Sequence, residues 1–351
     1  MKRLLSIITI IALLFVLAGC AAEVKTKDIE EPAAEQQTEA NETAGLSAEQ
    51  TEETEKNEKV KIGIIQPVEH PSLNQIREYI IIGLEEQGLK DKVEITYKDA
   101  QGDPSNINTI ISQFVGDEMD VIVPIGTGAS QSAAAATKEI PIIFAAVSYP
   151  IEAGLVKDVS KPEANVTGVS DAIDVELIFD LAFELTPDVE TFGFIYNTGE
   201  PNSASAINKA KEYCDAKGIK YMEATITNSS ELLQASQSLL EKADAIFTPT
   251  DNTVASAMPI LSAEAHKAGI PVYTGADSMV IDGGFATVGI DYTILGRQVA
   301  EIVKKVIDGV EISNIPAETL SEFTTIVNST TAKKIGLELS EEQLEIFQIV
   351  E

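Results

Sequence analysis

The chain has 351 residues, 44% of them hydrophobic, which is enough for two domains of ordinary size. It carries 56 acidic against 25 basic residues, a formal net charge of −31, and this excludes a nucleic-acid binder, because phosphate contacts need clustered Lys and Arg. Two cysteines exclude a disulfide framework, and two histidines, His70 and His266, leave few of the usual metal ligands, so neither a metal nor a cofactor is expected.

Lys2 and Arg3 precede an apolar run over residues 4–17 that is broken only by Ser6 and Thr9. A short apolar stretch ending in small residues reads as a secretion signal over residues 1–19 rather than a membrane span. Leu17-Ala18-Gly19-Cys20 resembles a bacterial lipobox. In that pattern Cys20 would be lipidated and become the mature N-terminus, holding the protein on the extracytoplasmic face of the cell membrane. The tether is assigned to residues 20–59. From Ala21 to Val60 there are twelve acids, four lysines, no aromatic residue and four large aliphatics. Such a stretch cannot bury enough apolar surface to offset ordering entropy and is expected to be disordered and self-repelling. Ala21 is not the aspartate associated with inner-membrane retention, and the acidic tether favours a Gram-positive surface over a Gram-negative periplasm.

The globular part alternates strands and helices. Residues 60–65 form an apolar run stopped by Gln66-Pro67, and residues 72–87 carry helical spacing through Leu73, Ile76, Ile80 and Leu84 up to Gly88. A strand at 93–97, a helix at 104–116 and a strand at 121–125 follow. The turn Gly126-Thr127-Gly128-Ala129-Ser130 then opens an alanine-rich helix, and a strand at 140–147 completes the first set. The pattern repeats, with strands at 191–196, 219–224, 245–248 and 271–274 alternating with helices at 202–217, 231–242 and 254–268. A strand at 285–290, a helix at 295–308 and a strand near 323–327 close the series. This order predicts an α/β fold of two doubly wound parallel-sheet lobes. Ligands of such sheets sit outside the carboxyl ends of the strands, so two facing lobes would enclose one and close by a hinge.

Several segments resemble one group of ABC-transporter substrate-binding proteins. They are Lys61-Ile62-Gly63-Ile64, Val68-Glu69-His70-Pro71-Ser72-Leu73, Asp99-Ala100-Gln101-Gly102-Asp103, Pro141-Ile142-Ile143-Phe144, Asn165-Val166-Thr167-Gly168-Val169-Ser170-Asp171, Tyr196-Asn197-Thr198-Gly199-Glu200-Pro201-Asn202-Ser203 and Thr250-Asp251-Asn252. The resemblance runs from about Val60 to the C-terminus. It implies the type I periplasmic-binding fold with a three-crossover hinge, placed near Asn165–Gly168, Ile290–Tyr292 and Leu320–Thr324. Lobe 1 is then 60–166 plus 291–322, and lobe 2 is 167–290 plus 323–351. The resemblance also implies an aromatic amino acid as ligand (tryptophan, tyrosine or phenylalanine), a monomer, and permease and ATPase subunits as partners.

In lobe 1, the Gly126–Ser130 turn opens a helix whose N–H groups favour an anion, so Thr127, Gly128 and Ser130 are candidates for a ligand carboxylate. It is not a phosphate loop, because that motif's lysine is missing. Ser148 and Tyr149 follow the next strand, Tyr149 being placed to stack on a substrate. Gln66 and His70 follow the first strand and lie at the cleft mouth. In lobe 2, Tyr196, Asn197, Asn202 and Ser203 follow one strand, and Asn202 or Ser203 also reads as a helix cap. Asp251, Asn252 and Asp277 end two others, and an acid there would pair with a substrate ammonium. Cys214 lies in a helical pattern as a buried structural thiol.

Catalysis is not expected: His266 sits within a helix, and His70 has no evident nucleophile beside it. A nucleoside or sugar in the same transport role, or a ligand sensor for a membrane receptor, are the alternatives. The absence of Trp weighs against a sugar, whose ring Trp usually stacks.

Overall fold

A computed structural model describes residues 58–162 and 164–351. The signal segment 1–19, Cys20 and residues 20–57 of the tether lie outside the described residues. The strand β1 (Val60–Gln66) is buried over its last five residues, as a central strand covered on both faces must be. It leads into α1 (Pro71–Glu86), whose Leu73, Ile76, Ile80 and Leu84 fall on one buried stripe at helical spacing. Then come β2 (Val93–Asp99), α2 (Pro104–Gly116), β3 (Val121–Pro124), α3 (Thr127–Ala136), β4 (Ile142–Ala145) and β5 (Val166–Ser170).

The chain then enters a second sheet through α4 (Val175–Leu185), β6 (Thr191–Asn197), α5 (Pro201–Lys217), β7 (Lys220–Ile226), α6 (Leu232–Leu240) and β8 (Ala245–Thr248). It continues through α7 (Asn252–Ala255), α8 (Met258–Ala268), β9 (Val272–Thr274), α9 (Asp277–Ile281) and β10 (Ala286–Gly289). It returns to the first lobe for α10 (Tyr292–Ile307) and β11 (Glu318–Thr319). It ends in the second lobe with β12 (Thr324–Asn328), α11 (Ser329–Lys334), α12 (Glu341–Ile346) and β13 (Gln348–Val350).

The first sheet has the order β11-β5-β4-β3-β1-β2 and is parallel throughout. The second has the order β13-β12-β10-β9-β8-β6-β7, with β12 antiparallel to β10. The chain therefore passes between sheets three times, at residues 171–174, 290–291 and 320–323. The first crossing was expected near Asn165–Gly168, with lobe 1 ending at residue 166. Val166–Ser170 instead pairs along β4 as a buried strand of the first sheet, so the crossing falls after Ser170. The single helix expected over 254–268 is two helices, because Pro259 fits the first turn of α8 but not a helix interior.

The second lobe is built around aromatic rings. Phe179 of α4 lies 4.8 Å from Phe192, 5.1 Å from Phe247 and 5.2 Å from Tyr213, centroid to centroid. Cys214 is fully buried beside them as a free thiol, pushed up to about 12 by burial, which is an inert packing group.

Candidate functional site

The carboxyl ends of the two sheets face each other across a narrow cleft. Lobe 1 supplies His70, Ser72 and Leu73 after β1, Gly126 and Thr127 after β3, Ala146 and Ser148 after β4, and Asp171 after β5. Lobe 2 supplies Asn202, the run Thr250-Asp251-Asn252 after β8, Ala255, and Ala276 and Met279 after β9, while Tyr292 enters from the hinge. The lobes touch directly. Ser72 Oγ and Ser278 Oγ share a hydrogen bond of 2.6 Å, and His70 Nε2 lies 3.1 Å from Asn252 Oδ1.

No Lys or Arg lines this cavity, but two buried carboxyl groups do. Their surroundings differ. Asp251 caps α7, its Oδ1 accepting from the Val254 N–H at 2.9 Å and its Oδ2 from the Asn197 N–H at 2.7 Å, with Ser203 beside it. Its valences are filled by its own lobe. Asp171 has one side-chain donor, Ser148 Oγ at 2.7 Å, and burial pushes it up to about 6. A carboxylate this buried, with so few donors, is an acceptor that wants a cation. Tyr292 stands nearby; burial, with the Asp171 and Asp277 carboxylates, holds its hydroxyl well above the ordinary value, so it stays a neutral donor.

In lobe 1, α1 and α3 begin at the cavity without a side-chain cap. The N-cap positions of α1 and α3 are His70 and Gly126, and neither side chain bonds the first turn. By contrast α2, α4 and α10 are each capped by an aspartate. Gly126 has φ 86, a positive value that a side chain would strain, and it lines the cavity together with Thr127, the first residue of α3. Uncapped N–H groups at the positive end of a helix dipole suit a ligand carboxylate. Thr127 Oγ1 is buried there with no protein partner. Ala146 also has positive φ, 54°, an uncommon conformation for alanine that is found against ligands.

On the opposite wall Glu200 organises Asn252 and Thr253. Its Oε2 accepts from Asn252 N–H (2.9 Å) and Nδ2 (2.7 Å), and its Oε1 accepts from Thr253 N–H (2.8 Å) and Oγ1 (2.7 Å). Burial and the neighbouring Asp251 carboxylate push Glu200 up to about 8.

Of the residues singled out in the sequence, the fold brings His70, Thr127, Ser148, Asn202, Asp251 and Asn252 to one cavity. Gly128 and Asn197 border an adjoining groove between the lobes. The others face elsewhere. Gln66 is fully buried, its Nε2 donating to Asn74 Oδ1 and the Val68 carbonyl. Ser130 Oγ donates to the Gly126 carbonyl at 2.7 Å. Tyr149 is covered by Lys209 Nζ, 4.8 Å from its ring centroid, and borders separate pockets. Tyr196 donates its hydroxyl to Glu223, Ser203 sits behind Asp251, and Asp277 accepts from the Ser278 N–H. Asp171, Thr250, Ser72, Met279 and Tyr292 were not foreseen as lining residues. Asp171 directly follows β5, and its place at a strand end is the one sequence signal that puts it at the cleft.

Comparison with known proteins follows the same lines. A family model described as ABC transporter substrate binding protein matches residues 61–348. The "Tyrosine-binding protein" of Clostridioides difficile (strain R20291) is 38% identical over 291 residues, covering 82% of this chain and 84% of that protein. An ABC domain from Streptococcus pneumonia, solved in complex with L-Trp, superposes with a TM-score of 0.81 at 35% identity, covering 84% of this chain and 100% of that one. The ligand-free, open structure of CD0873, a substrate binding protein from Clostridium difficile, gives 0.64 at 39% identity, covering 83% and 99%. The more identical sequence, solved ligand-free and open, superposes less well. The arrangement here is nearer to the ligand-bound one, in keeping with the hydrogen bonds across its cleft.

Proposed function

The chain belongs to the ABC transporter substrate-binding protein family, and on that premise we propose that it closes on a free aromatic amino acid and delivers it to a membrane permease. The observation that carries this assignment is a cavity without a basic side chain into which lobe 1 brings both the buried Asp171 carboxyl and the uncapped starts of α1 and α3. An α-amino acid presents the complementary pair. Its ammonium answers Asp171, and its carboxylate is met by N–H groups at the start of α3, with Thr127 Oγ1 beside them. Leu73, Ala255, Ala276 and Met279 offer an apolar wall for a ring, with the Tyr292 hydroxyl at the hinge. The relatives named for tyrosine and solved with L-Trp support the aromatic side chain.

Binding requires no covalent step. The lobes open at the three crossings, the ligand replaces water in the cleft, and closure buries its charges against groups already fixed in place. Cys20, if lipidated after removal of residues 1–19, would tether this cycle to the outer face of the membrane, next to the permease. A thermal-shift panel of amino acids, nucleosides and sugars on the purified chain tests the assignment. Stabilisation by L-Tyr, L-Trp or L-Phe and by no sugar or nucleoside is expected, and the reverse pattern overturns it.

A further inference from the structure

We infer that His70 determines specificity: its Nδ1 accepts a hydrogen bond from the ligand's ring, so that the site selects a phenol or an indole over a plain benzyl side chain. This rests on the amino-acid assignment above. The argument begins at Glu200. Both of its oxygens accept from backbone N–H groups, and Oε2 also faces Asn252 Nδ2 at 2.7 Å. Glu200, raised to about 8, shares its proton with the Asp251 carboxylate, and an Oε2 that accepts from the Asn252 N–H and faces Nδ2 turns the Asn252 amino group toward Glu200 and its Oδ1 toward His70. His70 Nε2, 3.1 Å from that oxygen, must then be the donor.

The ring is 7% exposed, and burial pushes it down to about 4, so it is neutral near pH 7 and carries one proton. With that proton on Nε2, Nδ1 is a bare acceptor. It is buried, has no protein partner, and belongs to a ring that borders the cavity. The relay from Glu200 through Asn252 therefore fixes the tautomer and leaves one lone pair for whatever the cavity holds.

That lone pair lies far from the ammonium site. His70 follows β1 and Asp171 follows β5, with β3 and β4 between them. At about 4.8 Å per strand the two sites are roughly 14 Å apart along the sheet edge. An amino acid whose ammonium meets Asp171 and whose carboxylate meets α3, after β3, extends its side chain toward the β1 end. A hydroxyl or ring N–H at its tip reaches the acceptor, whereas phenylalanine leaves it unsatisfied. Loss of one buried hydrogen bond of this kind corresponds to roughly 5- to 150-fold in affinity.

Two substitutions separate the functions of the two ring nitrogens. His70→Gln keeps an amide nitrogen near the Nε2 position, and with it the bond to Asn252, but has nothing at Nδ1. His70→Asn keeps an acceptor near Nδ1 and drops the bond to Asn252. Calorimetric Kd values for L-Tyr, L-Trp and L-Phe are expected to show the parent preferring Tyr or Trp over Phe by at least about fivefold. That preference should vanish in His70→Gln and persist in His70→Asn. A preference unmoved by His70→Gln overturns the inference and leaves the amino-acid assignment standing. Equal weakening of all three ligands also overturns it, because Nδ1 would then serve the ammonium or the closure. If none of the three binds the parent, both fall together. Should a variant fail to fold, ¹⁵N shifts of the ring nitrogens in the parent decide the tautomer, and with only two histidines in the chain assignment is direct. An Nδ1–H form or an imidazolium at pH 7 overturns the inference.

Discussion

Replacing Asp171 by Asn should move binding and stability in opposite directions. Asp171 is 5% exposed, and burial raises its carboxyl from 3.8 to about 6. Because the folded value lies above the unfolded one, ionised Asp171 destabilises the empty protein. The penalty is fully present above about pH 6 and fades as the pH falls toward 3.8. A difference of this size corresponds to about 3 kcal/mol at pH 7.5. Asn keeps an oxygen for Ser148 Oγ and carries no charge, so the ligand-free variant should melt several degrees higher, at about 2–4 °C per kcal/mol for a protein of this size. The ligand ammonium would lose the buried counter-charge assigned to it, since Asp251 is already engaged by its own lobe. Removing one partner of a buried charge pair costs about 2–5 kcal/mol, which is roughly 30-fold to several thousand-fold in Kd. Calorimetric melting of the empty protein and titration with L-Tyr or L-Trp give the two numbers. A variant that binds as tightly as the parent, or melts lower when empty, would refute the assignment of Asp171 to the ammonium.

The remaining predictions concern pH, the cleft wall, the core and the anchor. Ligand binding should pull the Asp171 carboxyl down from about 6, so affinity should be level at higher pH and fall by up to about tenfold per unit below 6. His70, pushed down to about 4, stays neutral through most of that window, and a Kd flat from pH 7 to 5 would contradict the scheme. A Cβ on Gly275 would overlap the backbone of Pro249 and Thr250, so Gly275→Ala should shift the cleft wall, cost about 1–3 kcal/mol of stability and weaken binding at least tenfold; an unchanged Kd in a folded variant counts against it. Phe179→Ala, within the aromatic cluster and away from the cavity, should cost about 3–5 kcal/mol in denaturant unfolding and leave Kd unchanged wherever the variant is folded. Cys20→Ser should move the protein from the membrane fraction to the soluble fraction on cell fractionation, and retention in the membrane would remove the lipid anchor from the scheme.

Much of the fold was legible because apolar period and turn residues agreed. The helical spacing from Leu73 to Leu84, the stop at Gly88 and the glycine turn at Gly126 correspond to α1 and to the start of α3. The failures have local causes. Val166-Thr167-Gly168-Val169-Ser170 mixes small polar and apolar residues without alternation, so β5, and with it Asp171, was hidden. Tyr292 is the first residue of α10, buried at the hinge, where sequence periodicity says nothing about the cleft. Which acid is free to meet a ligand is decided by backbone N–H groups brought in by folding. Asp251 receives one from Asn197, fifty-four residues away, and Asp171 receives none from so far. Gln66 and Tyr196 likewise stand at strand ends, as cleft residues should, yet Asn74 and Glu223 take their polar atoms.

The most direct test is to identify the small molecule that the purified chain carries. The protein is washed, denatured, and the released solutes are read by mass spectrometry. Because the chain has no Trp, indole fluorescence before denaturation also reports bound tryptophan. Release of tyrosine, tryptophan or phenylalanine near one equivalent is the expected result, and release of a sugar or a nucleoside in that amount would contradict the amino-acid site.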